Sequence, residues 1–90
     1  MGTTSKKIFI VMWESNVDGE HLFDAIPCRT LTSAREQLKA NIGEILGNGH
    51  FMRANKEDCT IEKDDNSYFI MDETDDFWEH TYIRAKELIG

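Results

Sequence analysis

The chain has 90 residues, 40 % of them hydrophobic, and 17 acidic against 10 basic groups, for a formal net charge of −7. That length allows one domain with a modest core, and the charge argues against gripping nucleic acid through its phosphates. No apolar run approaches the roughly 18–20 residues of a membrane span. The start MGTTSKK, followed by a short apolar run from Ile8 to Trp13, does not read as a secretory leader. Lys6 stands where a myristoylation signal needs Ser or Thr. The expectation is a small cytoplasmic protein.

Residues 1–5 are polar and read as frayed. Lys7–Glu14 is β-branched and aromatic, with Ile8, Ile10 and Met12 alternating against Phe9, Val11 and Trp13. Both faces are apolar, which predicts a central strand covered on both sides. Ser15–Glu20 reads as a turn around Asp18-Gly19, a pair tolerant of positive φ. Glu14-x-Asn16-x-Asp18-Gly19 also matches the opening of a calcium loop, but Ala25 stands where the bidentate glutamate belongs, so the hairpin explains these residues better. His21–Cys28 is the return strand, and Pro27 assigns it to an edge because proline cannot donate to a ladder.

Ser33–Leu46 predicts a helix, with Ser33 and Glu36 as a capping box and Thr32 as the alternative cap. Ala34, Leu38, Ile42, Ile45 and Leu46 form its apolar stripe. Gly43, in the helix interior, implies close packing on a sheet, and Gly47-Asn48-Gly49 is the stop. His50–Asn55 reads as loop. Cys59–Lys63 and Tyr68–Met71 form a second hairpin around DDNS (64–67). Residues 77–89 suit either a strand, with Thr81-Tyr82-Ile83 at its centre, or a helix capped by Thr74 or Asp75. The strand is preferred because so small a domain needs a sheet wide enough to cover its helix. The expected fold is α+β: an antiparallel sheet of four or five strands in the order ββαβββ, with one helix on one face. The alternative is ββαββα.

Charge is lopsided. Residues 1–56 carry seven basic and six acidic groups, residues 57–90 three and eleven. Asp72, Glu73, Asp75, Asp76 and Glu79 crowd into eight positions and form the candidate acidic patch. The run lacks the glycine that lets a chain wrap a calcium ion, so a solvated surface or a site for a basic partner is expected, not a metal site. Cys28 and Cys59 are expected as free thiols. His21, His50 and His80 show no zinc spacing. Arg29 beside Cys28 could activate that thiol, but nothing fixes a base for it. No nucleotide, hydrolase or metalloprotease signature occurs, so neither catalytic residues nor a cofactor are assigned and the chain is not read as an enzyme.

The aromatic residues lead further. Phe9, Trp13, Tyr68, Trp78 and Tyr82 are the interface candidates. One helix covers one sheet face, and large apolar patches are uncommon on monomers, so a second copy or a protein partner is expected on the other. The function expected is a non-enzymatic interaction domain that self-associates through that face, with no direct nucleic-acid or membrane partner. The alternatives are an acidic nucleic-acid mimic that blocks a nucleic-acid enzyme, of the phage or mobile-element type, and third a small hydrolase or metal-dependent enzyme.

Overall fold

The computed structural model describes residues 6–88, so the expectation for residues 1–5 lies outside the described residues. β1 (Lys6–Val17) and β2 (Glu20–Cys28) form a long hairpin. Its turn is Asp18-Gly19, at φ 52° and 87°, and positive φ at both central positions gives the twist that tight hairpins need. The turn is shorter than the expected Ser15–Glu20. Ser15, Asn16 and Val17 stay in the strand because β2 pairs with them on one side and the last strand, β5 (Phe77–Leu88), on the other.

α1 spans Leu31–Gly47. Its cap is Thr30, not Ser33 or Thr32. Thr30 keeps an extended backbone, and its Oγ1 accepts from the Ser33 amide at 3.0 Å. The helix thus starts two residues before the expected Ser33, which already lies inside the first turn. Gly43 is exposed, and a Cβ built there would meet nothing within 4 Å. Close packing on the sheet therefore does not explain it. The stop is as expected, with Asn48 as C-cap and Gly49 at φ 67°.

His50–Asn55 is not loop throughout. A short helix, α2 (Gly49–Arg53), forms there, and its anchor is Phe51, only 3 % exposed. Five residues are too few for a helical period to show in sequence, so tertiary burial of one ring decides the conformation. After a 3-10 turn at Lys56–Asp58 come β3 (Thr60–Asp64), β4 (Ser67–Met71) and β5 (Phe77–Leu88). β5 is the preferred strand, not the alternative helix.

The five strands form one antiparallel sheet in the order β2-β1-β5-β4-β3. The fold is α+β, ββαβββ with the short α2 added. β2 and β3 are the two edges, so the chain must cross the sheet between them, and it does so through α1 and α2 on one face.

The register sorts every strand residue to a side. Phe9, Val11, Trp13 and Ser15 share the helix side with Ile83, Thr81 and Glu79 of β5 and with Tyr68 and Ile70 of β4. Two core clusters fill the space beneath the helices: Val11, Ala34 and Leu38 in one, Ile45, Phe51, Tyr68 and Ile70 in the other. A buried polar chain joins helix to sheet. Asn41 Nδ2 donates to Thr81 Oγ1 at 3.1 Å, and Thr81 Oγ1 donates to the Met12 carbonyl at 2.8 Å. Both side chains are inaccessible or nearly so, and each polar group finds its partner, as burial demands.

Candidate functional site

The other side of the sheet carries the more unusual surface. Strand alternation puts Ile8, Ile10, Met12, Glu14 and Asn16 of β1 on it, together with Trp78, His80, Tyr82, Arg84 and Lys86 of β5. Phe69 and Met71 of β4 and His21, Phe23 and Ala25 of β2 flank them. Among the described residues no helix or loop covers this face. β1 is therefore central, as expected, but covered on one side only.

Its rings touch in series. His21 stands 5.7 Å from Trp78, Trp78 6.3 Å from Phe69, Phe69 5.7 Å from His80, and His80 4.5 Å from Tyr82, centroid to centroid. These spacings lie within the roughly 4.5–7 Å of favourable aromatic pairs. Phe23 remains 58 % exposed at the β2 edge. Met12 is only 9 % exposed.

The face is also electrically bipolar. Arg84 and Lys86 lie beside Ile10 and Ile8 at one end of the sheet. Toward the other, Glu14 faces His80, which pairs with Phe69, which in turn faces Glu62.

The structure divides the five interface candidates. Trp78 and Tyr82 lie on the open face. Phe9, Trp13 and Tyr68 lie under the helices, and Tyr68 is 6 % exposed, with burial pushing its phenol pKa up. Phe69, His80 and Met12 of the open face are absent from the sequence-based set. The signal that finds them is the two-residue period once the strand register is known.

The acidic run divides too. Glu73, Asp75 and Asp76 are exposed. Asp72 is 8 % exposed and accepts from His50 Nε2 at 2.8 Å, from the Thr74 amide at 3.1 Å and from Thr74 Oγ1 at 2.8 Å. Burial alone would raise its pKa, but those hydrogen bonds outweigh it and hold the carboxyl below its ordinary range. Glu79 lies on the helix side, where its Oε1 accepts from Trp13 Nε1 at 2.7 Å. Burial raises its pKa despite hydrogen bonds from Trp13 and Ser15.

Trp13 and Glu79 belong to a corner cavity of about 270 Å³ where the end of α1 and the start of α2 meet β1 and β5. Phe51, Phe77, His50 and Glu44 also line it, and the His50 ring stacks on Phe77 at 4.0 Å and 10°.

Cys28 and Cys59 are free thiols. Burial raises the Cys59 pKa, which leaves it a poor nucleophile. Among the described residues no three His, Cys, Asp or Glu side chains gather as metal ligands, and no helix is long and apolar enough to cross a membrane. No protein-family model, curated protein or solved structure matches the chain.

Proposed function

We propose that this protein is a self-associating interaction domain whose binding surface is the open face of its sheet. The observation that carries the reading is the connected series His21–Trp78–Phe69–His80–Tyr82 on a face that nothing in the described chain covers. Aromatic and methionine side chains are the residues most enriched in interface centres.

The charge pattern favours a second copy as the occupant. A two-fold axis lying in the face and running across the strands brings the Arg84–Lys86 end of one copy over the Glu14–Glu62 end of the other, and the reverse. One surface thus supplies both complementary patches, which an isologous dimer requires.

Sedimentation equilibrium tests this with variants. Phe69→Glu and Tyr82→Glu each place a carboxylate in the face without touching the helix side, and each should shift the protein from dimer to monomer. Met52→Glu alters an exposed apolar residue of α2, away from the face, and should leave the dimer intact. A wild-type protein that sediments as a monomer at tens of micromolar, roughly the working range of a weak dimer, overturns the reading.

A further inference from the structure

We propose that the corner cavity on the helix side binds a small organic ammonium ion. The site is separate from the ring series of the self-association face: of the residues placed on that face, only Asn16 also lines the cavity. Its volume, about 270 Å³, lies just under the roughly 300–1,000 Å³ of small-molecule pockets. A ligand of fragment size is the right fit.

The walls specify the chemistry. Trp13, Phe51 and Phe77 supply aromatic surface, and ring faces attract cations, quaternary ammonium groups above all. The two formally anionic side chains of the lining are Glu79 and Glu44, and no lysine or arginine lines it. His50 already directs Nε2 to Asp72 and packs its ring flat on Phe77.

The backbone adds the same sign. α1 is 17 residues long, ends at this corner, and has no basic residue in its last turn. The C-terminal end of a helix carries about half a negative charge, and here no side chain of α1 neutralises it. α2 begins at the same corner, but it has only five residues, and the two carboxyl side chains of the lining have the same sign as the end of α1.

Glu79 is the orienting group. Trp13 Nε1 fixes one of its oxygens at 2.7 Å, so carboxylate and indole are locked together at the cavity wall. Burial raises the Glu79 pKa, so its charge is held at a cost that an ammonium ion would relieve.

The test is an NMR titration that follows the Trp13 indole N–H, assigned by its loss in Trp13→Phe. Choline chloride is added to about 50 mM against matched sodium chloride, a range that reads millimolar dissociation constants. The comparison ligand is 3,3-dimethyl-1-butanol, the neutral molecule of nearly the same shape. Choline should shift the resonance saturably, and the neutral isostere should bind at least about tenfold more weakly. Glu79→Gln, which keeps an acceptor for Trp13, should weaken choline about tenfold. Exposed Glu44→Gln should weaken it about two- to threefold and carries the test should Glu79→Gln not fold. Binding should be the same in the monomeric Tyr82→Glu protein, so this site and the dimer face succeed or fail separately. Equal affinity for the neutral isostere overturns the inference, as does an unmoved Trp13 resonance at the highest choline concentration.

Discussion

Thr81 is fully buried at the centre of β5, and its hydroxyl is the only polar link described between the middle of α1 and the sheet. Thr81→Val keeps the shape of the side chain and removes the hydroxyl. Two bonds go with it: the one given to the Met12 carbonyl at 2.8 Å and the one received from Asn41 Nδ2 at 3.1 Å. Asn41 is 3 % exposed, so its amide cannot turn to water. A buried donor left without a partner costs about 1–3 kcal/mol, and the added methyl returns at most about 0.8 kcal/mol. The expected net loss is therefore about 1–2 kcal/mol, or roughly 4–16 °C in Tm for a domain of this size. Urea melts at one fixed protein concentration measure it, because the proposed self-association would make stability depend on concentration. The double variant Asn41→Leu with Thr81→Val removes both partners and should recover much of the loss. A single-variant loss below about 0.5 kcal/mol, or a double variant worse than the sum of the two singles, refutes the buried chain as described.

Leu38 is 4 % exposed in the cluster with Val11 and Ala34, so Leu38→Ala should cost about 2–5 kcal/mol in the same melts. Gly43→Ala should stabilise the protein by about 1 kcal/mol, since the helix interior there is exposed and open space surrounds a new Cβ; a loss instead of a gain contradicts the placement. Glu79→Gln should gain stability relative to wild type as pH rises. Burial holds the folded carboxyl above its ordinary range, so the wild type's protonated form is favoured at low pH and that advantage is lost as pH passes upward through the raised value. Urea midpoints of the two proteins at about pH 4 and about pH 7 check the sign, and a variant no better at the higher pH refutes it.

Local chemistry made much of the fold readable. Asp18-Gly19 marks a hairpin because only a few residues accept two successive positive φ angles, and Pro27 marks an edge because it lacks a donor. Thr81-Tyr82-Ile83 favours a strand, yet Trp78, Tyr82 and Ala85 also fit a helical stripe, so the sheet it completes had to decide between them. Where tertiary contact overrules local signal, the sequence is silent. α2 exists because Phe51 is buried. Asn41 reads as a polar helix residue until Thr81 is seen opposite it. The interface candidates suffered the same blindness. Alternation shows that Phe9 and Tyr82 each lie on some apolar face, but only the pairing of β1 with β5 puts Phe9 under α1 and Tyr82 on the open side. The acidic run hid its internal differences in the same way, since nothing in its composition separates buried Asp72 and half-buried Glu79 from exposed Asp75 and Asp76.

In the proposed dimer two copies meet through the open face. An isotope-filtered NOE experiment on an equal mixture of carbon-13-labelled and unlabelled protein tests it most directly. Met12 and Met71 lie on that face, whereas Met52 is in α2 on the other side of the sheet. Their methyl resonances should show intermolecular contacts to the rings of Trp78, Tyr82 or Phe69 in the opposing copy, and Met52 should show none. Intermolecular contacts confined to Met52, or none at any methionine at millimolar concentration, would contradict the account.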